Sequence, residues 1–294
     1  MSSTDQMQRF IFENTDIRGE IVSLGDSYAE VLKNNELPAV VQQLLGEFVA
    51  AVSLLSSTLK FDGRLTLQAR GDGPLPLIVA ECNHHRELRA VARPDEGVDW
   101  DSLATSGISD LIGKGMLVII IEPDKGQRYQ GVVPLDADNL AACLEHYFKQ
   151  SEQLATRLWF AADGAQGRAS GLLLHALPQQ LNSTAEENQN CWETTTALAS
   201  TVKTDELLHL PHDELLYRLF NEEEVRLFEP VAIKFQCSCS FDRSAKALVS
   251  LGHQEVQLML ADLGTINIDC QFCNQHYHFT DKEVGELFPE KNMH

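Results

Sequence analysis

Apolar residues recur at steps of three and four from Val41 through Leu45, Phe48, Val52 and Leu55 to Leu59. That spacing lines one face of a helix, and Pro38 suits its first turn, so a long helix with a core-facing stripe is expected from there. Past it the pattern shifts to short apolar runs of strand length: "RLTLQA", "PLIVAE", "LRAVAR", "MLVIIIE", "RYQGVVPL", "TRLWFAA" and "GLLLHAL". Clusters of Gly, Pro and Asp such as "RGDGP" at residues 70–74 punctuate these runs as turns. Further helices are expected at residues 26–33 and 139–152. Most consecutive strands have no helix between them, which predicts a mixed α+β sheet with helices packed on it rather than a doubly wound parallel fold.

Around Pro178 the pattern changes. "QQLNSTAEENQN" is polar and reads as a linker or exposed loop. Two short helix starts follow, "TDELLHL" and "HDELLYRL", each with acids in its first turn and apolar residues behind them. Residues 179–231 carry 11 acidic and 3 basic side chains. Such a segment has the Leu, Tyr and Phe to fold when docked and enough self-repulsion to be marginal alone, so it is a candidate conditional element. An ordinary helical hairpin with a solvated acidic face fits the same pattern. The expected organisation is an α+β core over residues 1–178, an acidic helical linker over 179–231 and a small module over 232–294.

The 294 residues suffice for two such units, and 44% hydrophobic with 22% charged residues is ordinary for a globular chain. The formal net charge of −20 narrows the function. It repels a phosphate backbone and removes the counterion-release contribution on which nucleic-acid binding depends, so no nucleic-acid partner is expected. The first twenty residues lack a basic stretch followed by an apolar run, and the longest clean apolar run, residues 116–121, is far short of a bilayer span. A cytoplasmic protein without a membrane partner is therefore expected. In that compartment its seven cysteines are held reduced, and the glycosylation sequon at Asn182 has no meaning.

Four of those cysteines are concentrated in the last segment. Cys237 and Cys239 form a C-x-C pair, and Cys270 and Cys273 form a C-x-x-C pair. A module this short has too little apolar surface for a generous core and needs a staple. Two local thiolate pairs suit one tetrahedral Zn²⁺, with little loop entropy to overcome within each pair. The C-x-C arm departs from the usual C-x-x-C knuckle. Alternate Cα atoms of an extended strand lie about 6.5 Å apart on one face, at the edge of disulfide reach, and a turn brings the sulfurs within it. Thiolates consumed in disulfides no longer bind metal, so the centre suits a redox switch as well as a purely structural zinc ribbon. His276 and His278 are alternative ligands, disfavoured because four thiolates already complete the shell. Cys82 and Cys143 lie in apolar-patterned segments and read as inert buried thiols, while Cys191 sits beside Trp192 in the polar region and reads as exposed.

Other motifs offer little chemistry. "RGDGP" lacks the Lys and Ser or Thr of a phosphate loop, His84 and His85 read as solvated loop residues, and the acidic run 222–224 as a solvated helix end. No G-x-S-x-G or H-E-x-x-H occurs, so the chain does not read as an enzyme.

The four cysteines at this spacing, "EEEVRLFEP" upstream of them, and "FENTDIRGE", "LKFDGRLTLQARGDGP", "RYQGVV" and "CLEHYFKQSEQLATRL" in the large domain resemble the bacterial redox-regulated holdase family, heat shock protein 33. The likeness runs nearly end to end, with no departure at the four cysteines. It implies an ATP-independent cytosolic chaperone that is inactive while Cys237, Cys239, Cys270 and Cys273 hold one Zn²⁺ as reduced thiolates. It further implies that oxidation pairs Cys237 with Cys239 and Cys270 with Cys273, releases the metal, unfolds the linker and yields a homodimer that holds unfolded, aggregation-prone proteins. It assigns no individual client-contacting residue. The rival reading is a zinc-ribbon adaptor without redox control; a thiol oxidoreductase is disfavoured because metal would mask the thiols.

Overall fold

The computed structural model describes residues 5–58, 62–178 and 184–288. In chain order the elements are β1 (Gln6–Phe12), β2 (Ile17–Leu24), α1 (Asp26–Lys33), α2 (Ala39–Ser56), β3 (Gly63–Arg70), β4 (Leu77–Asn83), β5 (Glu87–Arg93), α3 (Ile108–Ile112), β6 (Met116–Pro123), β7 (Tyr129–Pro134), α4 (Leu140–Tyr147), β8 (Thr156–Asp163) and β9 (Arg168–Ala176). They continue with α5 (Ala185–Ala199), α6 (Thr204–His209), α7 (His212–Phe220), β10 (Val225–Leu227), β11 (Val231–Ala232), β12 (Lys234–Phe235), α8 (Phe241–Leu251), α9 (His253–Leu263), β13 (Ile266–Asp269), β14 (His276–Phe279) and α10 (Asp281–Leu287). The chain separates into two compact units, one ending at Gln236 and the other starting at Cys237. The α+β class expected from the patterning is the class observed.

In the first unit one sheet runs β10-β1-β2-β9-β8, with β11 also on β1, and a second runs β12-β5-β4-β3-β6-β7. Pairing is antiparallel throughout except between β12 and β5. Helix α2 packs on β2, β8 and β9 of the first sheet and on β3, β4 and β5 of the second. That placement explains why its burial exceeds the stripe seen in the sequence. Val41, Leu45, Phe48, Val52 and Leu55 are buried as expected, and so are Leu44, Val49, Ala50, Ala51 and Leu54, because a helix between two sheets is covered on most sides, with Ala39 and Gln43 of its first turns left exposed. Leu59 lies outside the described residues. By length and composition α2 could cross a bilayer, but 78% of its apolar window is buried inside the protein, as a core helix requires. At Gly46 an added Cβ would come within 2.5 Å of the Ala162 Cβ, so glycine is what lets α2 approach β8 this closely.

The first sheet is covered on both faces. Val22 and Leu24 of β2 and Leu173 of β9 point into the core around α2. Ile17, Ile21, Leu172 and Leu174 point the other way, into a second core with Phe10 and Phe12 of β1. Helices α5, α6 and α7 close this second core with Ala199, Leu207, Leu208, Leu215, Leu216, Leu219 and Phe220. Burial on both sides is why "GLLLHAL" reads as a near-continuous apolar run, interrupted at His175, instead of an alternating one.

The polar stretch read as a loop is in part helix. Residues 185–190 form the start of α5, capped by Thr184, whose hydroxyl accepts from the Glu187 N–H at 3.2 Å while the Glu187 carboxylate accepts from the Thr184 N–H at 2.7 Å. This capping box supplies two of the partners that a polar helix start needs. Asn182 and the rest of residues 179–183 lie outside the described residues. The expected helix at 139–152 is α-helical to Tyr147 and then widens into a single π-type turn over Phe148–Glu152.

The second unit is small. Its core consists of Ala245, Leu248, Val256, Leu260, Ile266, Phe279 and Val284, gathered from α8, α9, the β13–β14 hairpin and α10. Among the described residues these seven side chains make a small core for such a unit, in keeping with the staple expected from the sequence.

Candidate metal centre

The two cysteine pairs reach their places by different local means. Cys237 and Cys239 lie on the extended segment before α8, whose N-terminus is capped by the Ser240 hydroxyl accepting from the Arg243 N–H at 3.2 Å. Arg243 turns back and donates to the Ser238 carbonyl at 2.9 Å and to its hydroxyl at 2.7 Å, which holds the residue between the two cysteines. Cys270 and Cys273 occupy the tight turn of the β13–β14 hairpin, closed by Asp269 opposite His276. There the Asn274 N–H donates to the Cys270 carbonyl at 2.8 Å and the Cys270 N–H to the Gln275 carbonyl at 2.9 Å. Asn274 takes the left-handed conformation, φ 54°, which asparagine tolerates better than most residues.

The four Sγ atoms all lie within 4.8 Å of one another. Approaches between the arms include Cys237 to Cys270 at 3.5 Å and Cys239 to Cys273 at 3.4 Å. Thiolates at about 2.3 Å from a tetrahedral Zn²⁺ stand about 3.8 Å apart, so the cluster has the dimensions of a four-thiolate site. All four cysteines are half-buried. Burial pushes the Cys270 and Cys273 thiols up from their usual range. A dication is the partner that makes four adjacent thiolates affordable, and the donor set fits one. Sequence reasoning missed Tyr277, whose hydroxyl donates to Cys239 Sγ at 3.1 Å. That bond, ahead of burial, pushes the phenol above its ordinary value. The alternation in "HYHF" was the available signal: it puts Tyr277 and Phe279 on one strand face and the two histidines on the other.

His276 and His278 are engaged elsewhere, with Asp269 Oδ1 and Asn267 Oδ1, each at 2.6 Å. Among the described residues the cluster of possible metal ligands is the four cysteines. Cys82 and Cys143 are buried, and burial pushes the Cys82 thiol up to about 11 although the Ser56 hydroxyl donates to it at 3.3 Å. Cys191, expected to be exposed, is half-buried on α5 against the second core, and burial raises its pKa. His84 is likewise less solvated than expected: its ring accepts from the Gly63 N–H at 3.0 Å and packs on His85.

Residues 5–280 match the model of the family described as Hsp33 protein. The chain belongs to the Hsp33 family. Curated relatives in this family include the 33 kDa chaperonin of Pseudomonas paraeruginosa, 50% identical over 290 residues, which cover 98% of this chain and 96% of that protein. The 33 kDa chaperonin of Pseudomonas aeruginosa is 49% identical over the same coverage. The crystal structure of the 33 kDa chaperonin (heat shock protein 33 homolog) of Thermotoga maritima superposes with a TM-score of 0.82, covering 96% of this chain and 97% of that one at 22% identity, which shows a shared Hsp33 fold. Hsp33 relatives carry a chaperonin's name and not an enzyme's, in agreement with the non-enzyme reading.

Proposed function

We propose that the protein is a cytoplasmic, redox-regulated, ATP-independent holdase that acts without a nucleic-acid or membrane partner. The observation that carries the reading is the convergence of four thiols, within 4.8 Å, in a unit with only seven buried core side chains among its described residues. A bound Zn²⁺ would supply the positive charge that keeps Cys237, Cys239, Cys270 and Cys273 as thiolates and the crosslink that ties the segment before α8 to the hairpin turn. In that reduced state the chaperone is inactive.

Oxidation acts on the same sulfurs. Each pair of thiolates, Cys237 with Cys239 and Cys270 with Cys273, gives up two electrons to a peroxide, whose O–O bond breaks and which takes two protons from solvent to leave two waters as the S–S bond forms and the metal is freed. From 4.8 Å at most, the sulfurs need to move by about 3 Å or less to reach bonding distance. Thiolates spent this way no longer ligate, and the second unit loses its staple. In this reading residues 232–294 form the switch and residues 179–231 unfold in response. Residues 1–178 then serve as the client-binding and dimerising core. The side chains of the acidic segment suited to the change are Leu207, Leu208, Leu215, Leu216 and Phe220, all now buried on the first sheet. Released, they and the surface they cover would offer apolar area to unfolded proteins.

The test follows zinc release with a chromophoric chelator while reduced protein is treated with peroxide under mild heat, with suppression of a heat-labile client's aggregation assayed in parallel. Release of about one zinc per chain together with gain of holding activity, both reversed by thiol reductant, is the expected result. Zinc retained, or lost without gain of holding, would leave the cysteines as the structural staple of an adaptor.

A further inference from the structure

His212 opens helix α7 and is 3% exposed, with both ring nitrogens engaged. Its Nε2 lies 2.9 Å from Ser23 Oγ on β2, and its Nδ1 lies 3.1 Å from Gln8 Oε1 on β1. The Gln8 amide nitrogen donates to the Phe228 carbonyl at 2.7 Å, which leaves Gln8 Oε1 as an acceptor. The assignment that satisfies every partner puts the proton on Nδ1, with Nε2 accepting from the Ser23 hydroxyl. One neutral imidazole therefore ties the first turn of α7 to two strands of the first sheet, and through Gln8 to the chain after β10.

Among the charged and titratable groups of α6 and α7, Glu206 and Glu214 both pair with Arg218, and His209 meets the Asp205 carboxylate at 3.1 Å and Gln166 Oε1 at 2.9 Å. On β1 and β2, Arg9 pairs with Glu20 at 3.3 Å on the sheet face opposite His212, and ahead of β1 the Asp5 carboxylate accepts from the Gly25 and Ser27 N–H groups. On β9, Arg168 donates to the Leu208 carbonyl. Asp213, the neighbour on the same helix, favours the charged ring, but burial outweighs it and lowers the His212 pKa to about 4.

We infer that His212 is a pH-sensitive latch: its protonation weakens the docking of α6 and α7 on the first sheet, so that moderate acid releases this segment while the four thiols stay reduced. The inference rests on the reading above, in which release of the segment is the activating step. The sign follows from the direction of the shift. A histidine kept neutral in the docked state contributes fully above about pH 6.5, where the released ring is also neutral, and loses that contribution as pH falls towards 4. Between pH 7.5 and 5.0 the opening equilibrium should rise about thirtyfold.

Hydrogen exchange on the zinc-loaded, reduced full chain tests this, with rates corrected for the intrinsic pH dependence of exchange. Amides of α6 and α7 should open about thirtyfold more at pH 5.0 than at 7.5, and those of α2 should not follow. His212→Gln keeps a neutral hydrogen-bonding side chain and should flatten the response. Zinc content is measured in the same samples, because metal loss in acid would open both proteins alike. A wild-type segment that does not respond, or a variant that responds as the wild type does, overturns the latch. If the variant fails to dock at any pH, NMR titration of the wild-type ring decides: an imidazole titrating near 6.5 while the segment stays docked refutes it. Peroxide release persisting without acid release would sink the latch alone; acid release without client holding would sink the chaperone mechanism instead.

Discussion

Phe220 is the side chain whose loss should most cleanly separate docking of the acidic segment from the rest of the first unit. It is 2% exposed and meets Phe12 edge-on with ring centroids 4.9 Å apart, while Phe10 lies 6.3 Å away. Truncating a buried phenylalanine to alanine costs about 3–5 kcal/mol in lost transfer energy and residual cavity. Roughly 0.5–1.5 kcal/mol of that belongs to the edge-to-face pairing. Phe220→Ala removes contacts that exist only while α7 is docked, so the cost falls on local opening, which should increase between about 10²- and 10⁴-fold at about 1.4 kcal/mol per decade. Hydrogen exchange of reduced, metal-loaded protein reads this directly, with α6 and α7 amides rising and α2 amides unchanged. Suppression of client aggregation without oxidant should appear in the same preparation. Gly19→Ala should give the same phenotype from the opposite side, because its Cβ would fall 2.1 Å from Phe10 Cζ and push that ring into Phe220. A rise under tenfold, or an equal rise in α2, would mean the segment is welded to the core and cannot act as a separate conditional element.

Cys273→Ser should lower zinc content from about one per chain to near zero and strip exchange protection from the second unit while leaving the α2 amides protected. Retention of that protection would show that the seven-residue core suffices unaided. Cys82 should resist iodoacetamide at pH 8 in the folded protein and react only on unfolding, since its thiol is buried and raised to about 11; labelling followed by mass spectrometry checks this. Glu47, on α2, has its carboxyl pushed up to about 7 by burial, so its stabilising contribution is full below about pH 4.5 and is lost as pH rises through 7. Glu47→Gln should therefore gain about 1–3 kcal/mol over wild type at pH 8 and little at pH 4.5, read as a difference in thermal midpoints; equal shifts at both values would refute the burial argument.

What could be read in the chain was whatever is settled by neighbours in sequence. Helix α1 and the body of α2, the strands β3 to β9 and the close spacing of cysteines within each arm all leave a local signature of periodicity, turn residues or spacing. The four-cysteine cluster was legible for the same reason: close spacing within each arm advertises a joint role before any fold is known. Strands β10, β11 and β12 were not, because two or three residues carry no period, and they exist through partners far along the chain, as Phe10 against Leu227 and Phe235 against Leu88. The burial of α2 beyond its apolar stripe, the Tyr277 hydroxyl on Cys239 and the seat of His212 between Ser23 and Gln8 are likewise products of distant segments meeting. Local propensity chooses the elements; which faces are dry, and so which polar groups must find partners or shift their protonation, is decided only when the elements pack.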